Sequence, residues 1–141
     1  MKQKTTPLIA VLLLASMLFT LPAAAADAPS ESGISPCYES VGSIEATLSI
    51  TSSGKASCYG YVKVIPSTNS FTLTMTLQRL TNGSWTYVTS WATSGTGSAS
   101  LSKSYYVTNG YYYRVKLVAS VRTSSGSFVE QVTSYSNSTY Y

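Results

Sequence analysis

Three residues in one short stretch carry the clearest potential for binding chemistry. Residues 109–121, NGYYYRVKLVASV, place three tyrosines ahead of alternating apolar and basic residues. Neighbouring side chains of a strand point to opposite faces, so Tyr112, Arg114 and Lys116 share one face, about 6.6 Å apart in succession. Aromatic rings suit sugar rings, and Arg and Lys attract anionic groups. These three residues are the candidate binding face, and a solvated sheet face is the simpler alternative.

Catalytic chemistry has few candidates in this sequence. It contains no histidine and only five acidic residues, so the usual triad base and the commonest metal ligand are both missing. A glycosidase needs two carboxylates about 5–10 Å apart, and Glu39 and Glu45 flank a loose segment rather than a rigid site. Ser102 and Lys103 are adjacent and would point to opposite faces of a strand. We predict that the protein is not an enzyme and uses no metal or cofactor.

The first 26 residues have the three-part pattern of a secretory signal peptide. Lys2 and Lys4 precede an apolar run over residues 8–21, and Ala24–Ala26 fits an A-x-A cleavage site. The run is shorter than the roughly 20 residues of a membrane-spanning helix. We therefore predict cleavage after Ala26, secretion to the extracellular space and no attachment to a membrane afterwards.

The rest of the chain is long enough for one domain. Residues 27–42 are rich in Pro, Ser and Gly and predict a flexible lead-in, and residues 43–141 predict a single domain. Without the signal peptide the net charge falls from +4 to +2. Such a mild balance, without a dense Lys/Arg patch, does not indicate a nucleic-acid partner.

Alternation of apolar and polar residues, the pattern of β-strands, continues through most of the domain. It predicts seven strands, which begin near residues 44, 56, 71, 85, 99, 111 and 128. Asn82-Gly83 predicts a type I′ hairpin turn between the third and fourth strands. The pattern also predicts a flexible connection over residues 92–97 and a polar tail at the end. We expect a seven-stranded antiparallel β-sandwich, with a small β-barrel as the alternative.

The same alternation sorts the aromatic residues of two strands. It assigns Trp85, Tyr87, Thr89 and Trp91 to one face of the fourth strand, where at least one tryptophan is expected to fill the core. On the sixth strand the alternation points Tyr111 and Tyr113 inward, either one a candidate for a tyrosine corner.

Cys37 and Cys58 are the only two cysteines in the chain. In an exported protein such a pair predicts a disulfide, which would stabilise the fold by about 3 kcal/mol in the chain-entropy model. The alternative is two free thiols, with Cys58 serving as a small core residue.

The predicted strand order resembles a fibronectin type III or immunoglobulin-like module. The stretch FTLTMTLQRLTNGSWTYVTSW resembles the C–C′ hairpin of such modules, and GYYYRVKLVASV resembles their F strand with its buried tyrosine. Over about residues 44–135 the chain is also similar to uncharacterised small secreted proteins of Gram-positive bacteria. Cys58 stands on the second strand, where fibronectin type III modules carry a tryptophan. The resemblance implies a β-sandwich and export, and it implies no catalytic residue.

Three functions fit these observations. The first is a non-catalytic extracellular binding or interaction module. The second is a carbohydrate- or cell-wall-binding module, which exposed coplanar aromatic rings would favour. The third is a secreted inhibitor or effector of another protein that acts through loops such as 92–98 and 122–127, which an extended ordered loop would favour. The partner would be a cell-wall glycan or another extracellular protein.

Overall fold

Two antiparallel sheets make up the part of the protein that the computed structural model describes, residues 38–141. The strands are β1 (Val41–Ile50), β2 (Lys55–Val64), β3 (Ser70–Thr81), β4 (Ser84–Thr96), β5 (Ser98–Tyr106), β6 (Tyr112–Arg122), β7 (Phe128–Tyr135) and β8 (Thr139–Tyr140). One sheet has the order β1-β2-β5, and the other has the order β4-β3-β6-β7, with β8 also paired to β6. The predicted β-sandwich is confirmed, and the barrel alternative is wrong because the two sheets are not closed into one.

The strand count is eight rather than the predicted seven. The final residues, predicted as a polar tail, form β8, in which Tyr140 pairs with Tyr112 and Thr139 pairs with Tyr113. Alternation could not indicate this strand because it is only two residues long. This strand places Tyr140 beside Tyr112, one of the three residues of the predicted binding face.

The core lies between the sheets and is built mainly from the alternate residues of β2, β3 and β6, with single residues from β1, β5 and β7. Its buried apolar members are Val41, Ala56, Cys58, Val62, Val64, Phe71, Leu73, Met75, Leu77, Leu101, Tyr113, Val115, Leu117, Ala119, Val121 and Val132. Gly60 allows the close approach of the two sheets, because a Cβ atom there would lie 2.6 Å from Cδ1 of Leu117. A larger residue in the middle of β2 would force Leu117 to shift within the packed core, so glycine is favoured there.

The hairpin between β3 and β4 has the predicted turn. Asn82 and Gly83 both adopt positive φ angles, 51° and 76°, as a type I′ turn requires. This turn fixes the pairing of the two strands at Thr81 and Ser84.

A β-bulge in β4 overturns the predicted face of this strand. Leu77 pairs with Thr89 but the next residue, Gln78, pairs with Tyr87, so Val88 is an extra residue. An extra residue reverses the alternation beyond it. Trp85 and Tyr87 therefore point away from the core, whereas Thr89 and Trp91 lie on the core side.

The predicted flexible connection over residues 92–97 is also wrong. Residues 92–96 continue β4, and Gly97 alone separates it from β5 in the other sheet. Gly97 has a φ of 72°, which favours glycine, and its carbonyl oxygen accepts a hydrogen bond from the Val64 N–H at 2.7 Å. The serine- and glycine-rich residues 92–97 thus form the end of a strand and a one-residue turn between the two sheets.

Residues 1–37 lie outside the described part of the chain. They include the predicted signal peptide, its cleavage site at Ala26, most of the predicted lead-in, and Cys37. The predicted domain boundary at residue 43 falls inside β1, which begins at Val41. Residues 38–141 include no helix that is long and apolar enough to cross a membrane.

The predicted Cys37–Cys58 disulfide therefore stays a prediction. The distance from Cys58 to the described start of the chain limits how this bond could form. The Ser40 carbonyl oxygen accepts a hydrogen bond from Ile65 N–H at 2.8 Å, beyond the end of β2. Cys58 lies six residues inside that strand from Val64, a distance of about 20 Å. The three residues from Cys37 to Ser40 span at most about 11 Å. Formation of the disulfide would therefore require residues 38–40 to leave their described position.

Candidate functional site

The candidate site lies on the surface of the five-stranded sheet that points away from the other sheet, which we call the outer face. The predicted binding residues Tyr112, Arg114 and Lys116 all lie on this face, on alternate positions of β6. Tyr112 is 48% exposed, and Arg114 and Lys116 are half-buried. The intervening core residues Tyr113 and Val115 are buried, so the alternation predicted for this strand is confirmed.

Arg114 is the centre of an aromatic–arginine cluster, formed with Trp85 of β4, Gln78 of β3 and Tyr135 of β7. The guanidinium carbon of Arg114 lies 4.3 Å from the centroid of the Trp85 ring and 4.2 Å from that of Tyr135. Its Nε donates a hydrogen bond to Oε1 of Gln78 at 2.9 Å. The cation–π contacts stabilise the position of the charged Arg114 side chain, and the hydrogen bond to Gln78 orients its guanidinium group.

The cluster leaves the terminal nitrogens of Arg114 available. All five N–H donors of a guanidinium lie in its plane, and the central carbon of this guanidinium lies over the rings of Trp85 and Tyr135. Within residues 38–141, Nε alone makes a hydrogen bond to the protein. The result is a held arginine with free donors, the arrangement that suits a carboxylate or phosphate group.

Exposed tyrosines flank this cluster on the outer face. Tyr112 and Tyr140 contact each other edge to face, with ring centroids 5.1 Å apart and an interplanar angle of 61°. Tyr87 is 68% exposed and Tyr140 60% exposed. The two contacting rings are not coplanar, so they do not form one flat platform.

The two tryptophans have different environments, which the alternation in the sequence did not predict. Trp91 packs against the core beside Met75, its partner on β3. Trp85 stacks on Arg114 at the outer face. The expectation that at least one tryptophan fills the core is confirmed. The sequence did not indicate four further residues of the site, Gln78, Trp85, Tyr135 and Tyr140, because their contacts depend on cross-strand pairing. No sequence pattern indicated the bulge at Val88 either.

Tyr113, one of the two candidates, forms a tyrosine corner that anchors the start of β6. Its hydroxyl donates a hydrogen bond to the Thr108 carbonyl oxygen at 2.6 Å, five residues upstream. Burial raises the pKa of this phenol, and the nearby Arg79 and the Thr108 contact partly oppose that effect. Arg79 stacks over Tyr111 at 4.5 Å, and its Nε is buried without a hydrogen-bond partner in the described residues. These groups hold the strand that carries Tyr112 and Arg114.

The carboxylates of the described chain lie away from the outer face. Glu45 of β1 pairs with Tyr61 of the three-stranded sheet, and Glu39 precedes β1. Glu130 pairs with Val121, on the core side, and its Oε1 accepts a hydrogen bond from the Ser40 N–H at 2.7 Å. Within residues 38–141, no three His, Cys, Asp or Glu side chains are grouped as a metal site would require.

Cys58, the other residue singled out in the sequence, is buried in the core at 1% exposure. Burial raises the pKa of its thiol to about 11, which keeps it protonated and weakly nucleophilic at neutral pH. It pairs with Leu48 on one side and Lys103 on the other. In the described fold it acts as a small core residue.

The sequence matches no protein-family model and no curated protein. The outer face combines Arg114, further cations and exposed tyrosines, and Arg and Tyr are residue types enriched in binding surfaces.

Proposed function

We propose that this protein is a non-catalytic extracellular binding module that uses the outer face as its binding surface. The observation that carries the proposal is the aromatic–arginine cluster, in which Trp85 and Tyr135 hold Arg114 while exposed tyrosines surround it. Tyr, Trp and Arg are the residues that dominate binding surfaces, because they offer large contact areas at a low entropic cost. The absence of histidine from the sequence supports a non-catalytic role.

The proposal includes a fibronectin type III or immunoglobulin-like arrangement of the sandwich. β3 and β4 pair as a C–C′ hairpin would, and β6 lies beside β3 as an F strand would. The tyrosine corner at Tyr113 supports the same assignment, since it occurs at the start of the F strand in immunoglobulin-like domains. Domains of this architecture commonly serve in recognition at cell surfaces.

Export belongs to the proposal as well. The pattern of Lys2, Lys4, residues 8–21 and Ala24–Ala26 supports cleavage after Ala26 and secretion. Bacterial origin, which the resemblance over residues 44–135 suggests, belongs to the same proposal. So does the Cys37–Cys58 disulfide, whose formation requires residues 38–40 to leave their described position.

A carbohydrate- or cell-wall-binding module is the second candidate. Exposure of Tyr87, Tyr112 and Tyr140 favours it, since a ring with an open face can pack against a sugar. Their rings are not all coplanar, so several separate contacts are expected rather than one platform. An inhibitor acting through an extended loop has less support, because residues 92–96, within one of its proposed loops, belong to β4.

A comparison of matched tyrosine variants tests the proposal. Binding of the purified protein to cell-wall material and to a glycan array is measured for Tyr112→Ala and for Tyr59→Ala, an exposed tyrosine on the three-stranded sheet. We expect Tyr112→Ala to weaken binding at least tenfold, as for a residue at the centre of a binding surface. Tyr59→Ala should leave binding unchanged. Equal effects of the two variants would contradict the use of the outer face.

A further inference from the structure

The outer face has a second distinctive region at the end opposite the aromatic–arginine cluster. A groove of about 430 Å³ lies there, over the ends of β3, β4 and β6. Its polar lining consists of Ser70, Thr72, Ser94, Thr96, Ser120 and Arg122. Short hydroxyl side chains form the floor, and Arg122 supplies the charge. Arg122 donates one hydrogen bond from Nη1 to the Gly126 carbonyl oxygen at 3.1 Å, which leaves further guanidinium donors for a ligand.

The charges on this face are all of one sign. Arg114, Lys116 and Arg122 occupy alternate positions of β6 on the outer side, and the three described carboxylates lie elsewhere. Arg114 and Arg122 are eight residues apart on a strand, which corresponds to about 26 Å. Between them the face presents mainly threonine and serine hydroxyls on β3 and β4, such as Thr74, Thr76 and Ser90.

We propose that the outer face binds an extended acidic polysaccharide, with Arg114 and Arg122 as two anion subsites at the ends of one binding track. The inference rests on the proposed function and adds the class of ligand and the second subsite. Serine and threonine hydroxyls donate and accept hydrogen bonds, as sugar hydroxyls do, so the surface between the arginines matches the uncharged part of a sugar chain. The exposed rings of Tyr112 and Tyr140 provide apolar contact beside the first subsite.

Two other anionic polymers fit this face less well. A nucleic acid carries phosphates at short regular intervals and is usually met by a denser Lys/Arg patch, whereas this track has three cations in about 26 Å. An acidic peptide binds a sheet best through backbone hydrogen bonds at an edge strand. The track instead lies on the outer face of the sheet, over β4, β3 and β6, and its side chains rather than the free backbone edge of β4 would contact the ligand.

Binding of defined polymers to the purified protein tests the inference. Affinity is measured by calorimetry for polygalacturonate, for a galacturonate dimer too short to reach both arginines, for neutral dextran and for polyglutamate. We expect polygalacturonate to bind at least tenfold more tightly than dextran, polyglutamate or the dimer, and to lose affinity as salt is added. Arg114→Gln and Arg122→Gln should each weaken polygalacturonate binding about tenfold, since each removes a charged hydrogen bond. The matched control Lys63→Gln, which removes an exposed charge on the three-stranded sheet, should change affinity less than twofold.

The outcomes separate this inference from the proposed function. Equal binding of dextran and polygalacturonate, weakened alike by Tyr112→Ala, would overturn the acidic ligand and leave the binding module intact. Preference for polyglutamate would overturn the polysaccharide class. An Arg122→Gln variant with unchanged affinity would overturn the second subsite, and Arg122 is exposed, so this variant is expected to fold. Binding that no change on the outer face affects would instead contradict the proposed function.

Discussion

Arg114→Lys tests whether the aromatic–arginine cluster is a held structure rather than a set of loose surface contacts. Lysine keeps the charge but loses the planar group that stacks between Trp85 and Tyr135 at 4.3 and 4.2 Å. It also cannot reproduce the Nε hydrogen bond to Oε1 of Gln78 at 2.9 Å. A cation–π contact at a partly exposed site contributes about 0.5–1 kcal/mol, and a hydrogen bond about 0.5–1.5 kcal/mol.

The expected cost of Arg114→Lys is therefore about 1–2 kcal/mol in the free energy of unfolding, because the lysine ammonium retains part of its attraction to the rings. The assay is urea unfolding followed by far-UV circular dichroism, which does not depend on Trp85 as a probe. With a urea m-value of about 2 kcal/mol/M, the middle of the range for a small domain, the midpoint should fall by roughly 0.5–1 M at unchanged slope.

Arg122→Lys is the matched control for this experiment. Arg122 lies on the same face of the same strand, but it is exposed and bonds within the described residues only to the Gly126 carbonyl oxygen. Its replacement should change stability by less than about 0.5 kcal/mol, as is usual for surface substitutions. Equal losses of stability in the two variants would refute the argument that stacking holds Arg114.

Two further predictions concern the core. Gly60→Ala should lower the free energy of unfolding by about 1–3 kcal/mol through overpacking against Leu117, as measured by urea unfolding. The double variant with Leu117→Ala should lose less stability than the sum of the two single variants, because the smaller side chain removes the clash. Additive losses would contradict a direct clash between these two residues. In reducing conditions the free energy of unfolding should fall by about 2–3 kcal/mol as the pH rises from 9 to 11, because the unfolded Cys58 thiol ionises near 9 and the folded one near 11. Cys58→Ala should remove that part of the decline. In the predicted disulfide, Cys58 has no thiol to ionise, so the decline of stability with pH should differ with and without reductant. Identical curves of unfolding free energy against pH under the two conditions would contradict the disulfide.

The strands and the core were predictable because each depends on local alternation. Phe71, Leu73, Met75 and Leu77 alternate with polar residues along β3, and the structure buries all four. The hairpin at Asn82-Gly83 was predictable for a similar reason, since positive φ angles at two successive positions select for those residue types. In each case the information lies within a few neighbouring residues.

The proposed binding surface was only partly predictable because its contacts cross strands. Alternation placed Tyr112, Arg114 and Lys116 on one face, and the structure confirms that shared face. It could not indicate that Trp85 and Tyr135, from strands on opposite sides of the β3–β6 pair, meet on Arg114. Such contacts depend on strand order and register, and short-range alternation determines neither.

The bulge at Val88 links the fold to the proposed function, because one extra residue decides where each tryptophan lies. Without it, unbroken alternation from Trp91, which packs on the core, would turn Trp85 inward as well. Arg114 would then lose one of its two stacking partners, and Trp85 would have to enter the core beside Arg79 and Tyr113, which already pair there. With the bulge, the same strand supplies Trp91 to the core and Trp85 to the outer face. A bulge next to a binding site that re-aims one side chain is a known use of this irregularity, and here it makes the aromatic–arginine cluster possible.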